Sequence, residues 1–143
     1  MAKRILAPIN GRPDSELIVP VLSNLAHGAG AVVRLLRVFP VPEHIVGRHG
    51  RTISYVDQEM SRLTAEGMKD LEPIEAALHD VPVETVVRFG DAAEEIVLEA
   101  EAFDADLIAL GTERRGRVRR AFAPDVADRV AETATTPTLV LHV

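Results

Sequence analysis

The hydrophobic positions of this chain fall into short runs separated by longer stretches with helical spacing. Runs rich in valine, leucine and isoleucine predict β-strands at Lys3–Ile9, Val32–Phe39, Val83–Phe89, Leu107–Leu110 and Thr138–Val143. The run Leu107–Leu110 has no polar residue, which is typical of a strand buried on both faces. Between the second and third runs, Pro40–Ile53 contains two prolines and two glycines and predicts a loop.

Apolar residues spaced three and four positions apart predict helices between these strands. The first helical face consists of Leu17, Ile18, Val21, Leu22 and Leu25. Pro20 lies within this stretch, where it marks either a kink or a late start of the helix. A long second helix is predicted over Ser54–His79, although Gly67 and Pro73 weaken it.

Two further helices are predicted in the second half of the chain. Asp91 followed by Glu94 is the pattern of an N-cap, in which a side chain satisfies free backbone donors at a helix start. A short last helix is predicted over Val126–Thr133. The acidic residues between positions 91 and 106 are interpreted as a solvated helical face.

Strands that alternate with helices indicate an α/β fold with a parallel sheet and right-handed crossovers. The 143 residues fit a single domain, residues 1–143, that is large enough to bury a core. Ligands of such sheets bind beyond the carboxyl ends of the strands, where the strand order reverses. In this chain those ends are Ile9–Asn10, Val38–Phe39, Phe89–Gly90 and Leu110–Gly111.

The composition excludes several classes of protein. The chain has no cysteine, which rules out disulfides, thiolate catalysis and cysteine-ligated zinc and fits a reducing compartment. No apolar run approaches the roughly 18 residues that a membrane span needs, and the N-terminus has no signal-peptide pattern. The net charge of −6 argues against general nucleic-acid binding. We therefore expect a cytoplasmic protein without a membrane or nucleic-acid partner.

Residues 111–125, GTERRGRVRRAFAPD, combine the parts of a phosphate-binding loop. A glycine ends the fourth strand, a basic stretch follows, and a helix then begins. Of the 16 lysines and arginines of the chain, five lie in this stretch: Arg114, Arg115, Arg117, Arg119 and Arg120. However, the helix opens with Pro124 and Asp125, which are a residue without an N–H group and a negative charge.

Four stretches resemble the universal stress protein family: RILAPINGRPDSE, VVRLLRVF, FGDAAEEIVLEAEAFDADLIALGT, and the basic stretch continued as FAPDVADRVAETATTPTLVLHV. The resemblance spans nearly the whole chain. It implies a three-layer sandwich of the adenine nucleotide alpha hydrolase-like class, with a five-stranded parallel sheet in the order 3-2-1-4-5 and helices on both faces. It also implies a homodimer through the last strand, at Leu139, Val140, Leu141, His142 and Val143, which would cover an exposed edge.

Many members of that family bind ATP through the motif G-x2-G-x9-G-[ST] after the fourth strand. Aligned without gaps, its first glycine is Gly111, but Arg114, Pro124 and Asp125 replace its other three defined positions. A residue that is often aspartate at the end of the first strand is asparagine here. If a nucleotide site is retained, the resemblance assigns to it Pro8, Asn10, Val38, Gly111, Thr112, Arg114, Gly116, Asp125 and Val126.

These departures work against phosphate binding. Glycines let backbone N–H groups approach phosphate oxygens, whereas Pro124 has no N–H and Arg114 adds a Cβ atom. Asp125 is expected to cap the helix, and its carboxylate would occupy the anion position and repel phosphate. At about 4 Å and an effective dielectric near 20, one like-charge pair costs about 4 kcal/mol. Micromolar binding is worth only about 8 kcal/mol in total.

The sequence therefore predicts a regulatory or protective interaction module that is not an enzyme and does not bind ATP tightly. The five arginines leave two alternatives open. They could hold the phosphates of ATP or AMP by forked hydrogen bonds, or they could dock an acidic protein or another anion. The plain interpretation is a solvated loop with exposed ion pairs to Glu113 or Asp128. The sequence assigns no cofactor, and ATP and AMP are the candidates.

Other candidate sites are incomplete. Glu43, His44 and His49 lie in a predicted loop, but a metal site needs three or four ligands in fixed geometry, so we expect no metal. Asp14 follows the first strand, as in phospho-receiver domains, yet the acceptor position of such a domain would fall on the helix cap Asp91. No motif supports a nucleophile, so no catalytic residue is predicted.

Overall fold

The computed structural model describes residues 3–10, 15–27, 30–42, 52–112 and 122–142. Helices and strands alternate along these residues, as the apolar runs predicted. Their order is β1 (Arg4–Ile9), α1 (Ser15–Ala26), β2 (Val32–Phe39), α2 (Thr52–Ala77), β3 (Val83–Phe89), α3 (Ala92–Phe103), β4 (Leu107–Thr112), α4 (Pro124–Thr133) and β5 (Thr138–His142).

The strands form one parallel sheet in the order β3-β2-β1-β4-β5, which confirms the predicted fold class. β1 lies at the centre, and its Ile5 aligns with Val33 of β2 and with Leu107 of β4. β1 is buried from Ile5 to Ile9 because neighbouring strands flank it and helices cover both faces. β2 and β3 match their predicted bounds, whereas β4 extends two residues further, to Thr112.

Two separate hydrophobic clusters fill the space between the sheet and its two helical layers. On one face, α1 and α2 pack on the sheet through residues that include Ile18, Leu22, Leu71 and Ile74. On the other face, α3 and α4 pack on the sheet through residues that include Ile96, Phe103, Ala127 and Val130. Successive strand residues point to opposite faces, so each strand contributes to both clusters. The molecule is therefore a three-layer sandwich, as predicted.

The helix-breaking residues in α1 and α2 are accommodated by their positions. Pro20 and Pro73 lie inside their helices and are exposed, so the backbone carbonyls that lose a hydrogen bond can face water. α1 begins at Ser15, which excludes a late start at Pro20. Gly67 is buried, and a Cβ atom there would lie 2.9 Å from the side chains of Phe39 and Val87. Glycine at this position therefore lets α2 lie close to the sheet.

The prediction of a solvated acidic face over residues 91–106 was wrong for Glu99, although most of the other acidic residues there are exposed. Glu99 of α3 is only 4% exposed, and its two carboxylate oxygens accept hydrogen bonds from Arg34 of β2 at 2.7 Å and Arg88 of β3 at 2.9 Å. Arg34 also bonds Glu84, and Arg88 bonds Glu95. These five residues form an ion-pair network that joins α3 to two strands.

The ion-pair network fixes its arginines in the charged form. Burial opposes the charge of Arg34, but its hydrogen bonds to Glu99 and Glu84 outweigh this and raise its pKa. Hydrogen bonds to Glu99 and then to Glu95 raise the pKa of Arg88. The Arg34 guanidinium also lies over the Phe103 ring, 4.1 Å from its centroid. The charged side chains of this region thus link α3 to β2 and β3.

Candidate functional site

The strand order reverses between β1 and β4, and the expected ligand side is the carboxyl edge of these strands. Pro8 of β1 is buried and aligns with Leu36 of β2, so it lies on the same face of the sheet as Val38. Val38 is also buried and belongs to the cluster beneath α3 and α4. Asn10 follows β1 directly and is exposed. The structure therefore brings three of the predicted site residues to this edge.

The end of β4 is closed by a returning segment of the chain. The N–H group of Phe122 donates to the carbonyl oxygen of Gly111 at 3.1 Å. The Thr112 hydroxyl donates to the carbonyl oxygen of Phe122 at 2.9 Å, and Thr112 is only 2% exposed. Thr112 and Phe122 thus lie side by side. Because the Thr112 hydroxyl proton already has an acceptor, this hydroxyl is not a free hydrogen-bond donor.

The start of α4 differs from the predicted capping arrangement. Ala123 is the N-cap residue, no side-chain hydrogen bond caps the helix, and Pro124 opens its first turn. Asp125 lies in that first turn and is exposed, so it is not the cap we expected. Proline is favoured at the first helical position, which moves the helix start one residue ahead of Asp125. The carboxylate nevertheless places negative charge at the positive end of the helix.

Val126 completes the described part of this helix start. Its N–H group bonds the carbonyl oxygen of Ala123 at 3.0 Å, and its side chain packs against the cluster beneath α4. The remaining predicted residues of this loop lie outside the described part of the chain: Arg114, Arg115, Gly116, Arg117, Arg119 and Arg120. Glu113, the proposed partner of these arginines, lies outside it as well.

The start of α3, next to α4, is capped as predicted. Asp91 is the N-cap residue and accepts a hydrogen bond from the N–H group of Glu94 at 3.0 Å. It also holds Arg129 of α4 through both carboxylate oxygens, at 3.2 and 2.9 Å. The bond from Arg129, followed by that from Glu94, lowers the pKa of Asp91. Sequence reasoning missed Arg129, because only the strand order reveals that α3 and α4 are neighbours.

Comparison with known proteins gives this arrangement a family. The model of the universal stress protein family matches residues 1–142. The chain belongs to that family. It is 29% identical over 126 residues to the universal stress protein YxiE of Bacillus subtilis, a similarity that covers 85% of this chain and 78% of YxiE.

Solved structures agree with this universal stress protein in fold. The protein MJ0577 superposes with a TM-score of 0.80 at 23% identity, covering 99% of this chain and 96% of its own. A universal stress protein from Archaeoglobus fulgidus in complex with dAMP has a TM-score of 0.64 at 18% identity, covering 96% and 95%. A universal stress protein in complex with cAMP has a TM-score of 0.63 at 17% identity, covering 99% of this chain and 97% of its own. At such identities the likeness establishes the fold.

Two further findings concern metal ligands and membrane spans in the described part of this universal stress protein. Those residues contain no group of three or more histidine, aspartate or glutamate side chains placed to hold a metal ion. The other candidates from the sequence lie outside the described residues: Glu43, His44, His49 and Asp14. None of the described helices is long and apolar enough to cross a membrane.

The predicted dimer strand lies at one edge of the sheet. β5 pairs with β4 in the described residues, and its Leu139, Val140 and Leu141 are half-buried while His142 is exposed. Val143 lies outside the described residues. The N–H group of Ile108 donates to the carbonyl oxygen of Pro137 at 2.9 Å. Because hydrogen bonding alternates along a parallel ladder, the N–H groups of Thr138, Val140 and His142 point to the outer edge.

Proposed function

We propose that this universal stress protein is a cytoplasmic regulatory or protective interaction module that does not bind ATP tightly and is not an enzyme. The observation that carries this proposal is the start of α4. Pro124 occupies the first helical position, Asp125 exposes a carboxylate in the first turn, and no side chain of the described residues caps the helix. A phosphate group placed there would meet a missing backbone donor and a like charge.

The electrostatic balance at this helix start supports weak nucleotide binding. A helix N-terminus favours a bound anion by only about 0.3–1 kcal/mol. One like-charge contact at about 4 Å costs about 4 kcal/mol at an effective dielectric near 20. The dipole therefore does not offset Asp125. Thr112 gives no compensation as a donor, because its hydroxyl proton is bound by the carbonyl oxygen of Phe122.

We test this assignment with the double substitution Pro124→Gly and Asp125→Ser, which restores a backbone donor and removes the charge. We expect it to create ATP binding that the unaltered protein lacks, measured by titration calorimetry. Asp128→Ser changes the net charge equally on an exposed position of the same helix and serves as the control. If the double variant and the control bind ATP equally weakly, Pro124 and Asp125 are not what blocks the site.

The second candidate function is an ATP or AMP sensor in which the arginines at 114–120 replace the missing glycine N–H groups. The related structures with dAMP and cAMP favour it, because they show nucleotides bound to the same fold. The burial of Pro8 and Val38 at the strand ends also fits this alternative. Micromolar binding of ATP or AMP that is lost in Arg119→Glu with Arg120→Glu would establish it.

A third candidate is anion or protein docking through the same basic stretch, which holds five of the 16 cationic side chains. The double reversal of Arg119 and Arg120 to glutamate would also abolish such docking, but without any nucleotide dependence. An acidic test polymer such as heparin separates this candidate from the sensor, because the sensor requires an adenine base and the docking site does not. Heparin binding that survives the reversal would exclude the loop as its site.

We also propose that the protein is a homodimer paired through the outer edge of β5. The outward N–H groups of Thr138, Val140 and His142 offer a ladder that a second copy can complete. Val140→Pro removes the central donor, and Val140→Thr keeps that donor with a side chain of nearly the same shape. We expect sedimentation to find a monomer for the proline variant and a dimer for the threonine variant. A dimer in both would place the interface elsewhere.

A further inference from the structure

The two helices on one face of the sheet leave an open groove on their outer side. It has a volume of 440 Å³ and is lined by Ala93, Glu94, Val97 and Leu98 of α3 and by Arg129 and Thr133 of α4. We call this the α3–α4 groove. Leu98 is 46% exposed and does not belong to the hydrophobic cluster beneath α3 and α4. Leu98 and Val97 give the groove an apolar lining that another molecule can contact.

Negative charge surrounds the α3–α4 groove. Among its described lining residues the one cation is Arg129, which donates to both carboxylate oxygens of Asp91. The bonds and charge of Asp91, followed by the charges of Glu94 and Asp125, raise the pKa of Arg129. Three carboxylates therefore act on a single guanidinium, and the summed charge of these four described side chains is negative.

The outer surfaces of the two helices add to this charge. Glu101 of α3 and Asp128 and Glu132 of α4 are exposed, and none of them forms an ion pair with a residue that the structure describes. This contrasts with Glu95 and Glu99 on the inner side of α3, whose charges are matched by arginines of the sheet. Within the described part of the chain, the acidic residues of the outer face are thus left without cations of their own.

These observations specify the partner. We propose that the α3–α4 groove binds a basic amphipathic helix of a partner protein, with the apolar side of that helix on Val97 and Leu98 and its cations beside Glu94 and the carboxylates of α4. A third helix fits a groove between two parallel helices by packing its ridge of side chains into it. A second copy of this chain is disfavoured there, because the same acidic surfaces would face each other. Anionic lipid is disfavoured for the same reason.

This inference deepens the proposed interaction role, because it names a surface and a partner chemistry for it. Its test does not depend on nucleotide binding. If the protein binds ATP tightly, the proposed function fails while the groove prediction is unaffected. If the α3–α4 groove does not bind a basic helix, the proposal of weak nucleotide binding is unaffected, because it rests on Pro124 and Asp125.

The probe is a labelled synthetic peptide of about 14 leucine and lysine residues with apolar positions at helical spacing. Its binding to the full chain is followed by fluorescence anisotropy at an ionic strength near 0.15 M, where long-range attraction is screened. Leu98→Lys adds a cation in the groove. Met68→Lys is the matched control, because Met68 is an exposed apolar residue, 37% accessible, on α2 at the opposite face of the sheet.

We expect the Leu98→Lys variant to bind the peptide at least about tenfold more weakly than the unaltered protein, and the Met68→Lys variant to stay within about twofold. Leu98→Ala leaves the charge unchanged and should still weaken binding several-fold. Equal losses in both lysine variants would overturn the proposal, because net charge alone would then explain the binding. So would equally strong binding of a peptide with the same composition and a scrambled order, or the absence of binding to the unaltered protein.

Discussion

The helices α3 and α4 cover the same face of the sheet and begin at the same edge, but their first turns are built differently. α3 has an aspartate at its N-cap whose side chain bonds the N–H group of Glu94 and also holds Arg129. α4 has an alanine at its N-cap, a proline next and an exposed aspartate after it. The polar residues at the start of α3 make structural contacts, whereas Asp125 makes no cap.

This difference separates residues that hold α3 in place from residues at the proposed ligand side. α3 is held at its start by Asp91 and further along by Glu95 and Glu99. Substitutions in that set should change the stability of the protein. The start of α4 follows the basic stretch and lies at the edge where parallel sheets bind ligands. Substitutions there should change binding and leave stability nearly unaltered.

The largest effect on stability is expected for Glu99→Ala. This substitution removes one partner from each of two half-buried arginines, although Arg34 keeps Glu84 and Arg88 keeps Glu95. We expect the free energy of unfolding to fall by about 2–4 kcal/mol, measured by urea denaturation. Glu101→Ala, at an exposed position of the same helix, should change it by less than about 0.5 kcal/mol. Equal losses in the two variants would show that the ion-pair network does not hold α3.

A smaller effect is expected for Asp91→Ala, which removes the cap of α3 and the bond to Arg129. The lost cap should cost about 1 kcal/mol, and the exposed pair adds little to this. Because the pKa of Asp91 lies below its usual value in the folded protein, its contribution is complete above the unfolded pKa and disappears as the pH falls through the folded pKa.

The stability difference between the unaltered protein and Asp91→Ala should therefore be constant above about pH 5 and shrink below about pH 4. Urea denaturation at several pH values measures it. A difference that grows in acid would contradict the assignment of a lowered pKa to Asp91.

The smallest effect on stability is expected for Asp125→Asn, which removes the charge at the start of α4 but breaks no side-chain cap. The loss should stay below about 1 kcal/mol, the usual size of a charge interaction with a helix dipole. Thermal unfolding monitored by circular dichroism would measure it. A loss as large as that of Asp91→Ala would mean that Asp125 is a structural cap after all.

The sequence predicted the scaffold well because its signals are local. Each strand is a run of apolar residues, and each such run can be recognised without knowing its neighbours. The cap at Asp91 is also a local signal, since donor and acceptor lie three residues apart. The strand order came from the family resemblance, and the observed sheet has that order. The family model, which matches residues 1–142, agrees with the resemblance.

The sequence predictions failed at two residues, and the first failure concerns contacts between distant parts of the chain. In the sequence, Glu99 looks like one more acidic residue of a solvated helix. Nothing near it in sequence shows that Arg34 and Arg88 lie opposite it. A signal was nevertheless present, because arginines inside otherwise apolar strands require partners. Asp125 was misassigned as a cap for a different reason: Pro124 is so well suited to the first helical position that it set the helix start.

The most direct measurement is titration calorimetry of ATP, ADP and AMP into the unaltered protein at about 50 and 200 mM salt, conditions that separate screened surface attraction from a specific site. If the start of α4 is blocked by Pro124 and Asp125, no heat of binding will be detected at either salt concentration. A micromolar dissociation constant that persists at the higher salt concentration would contradict this and would make the protein a nucleotide-binding sensor.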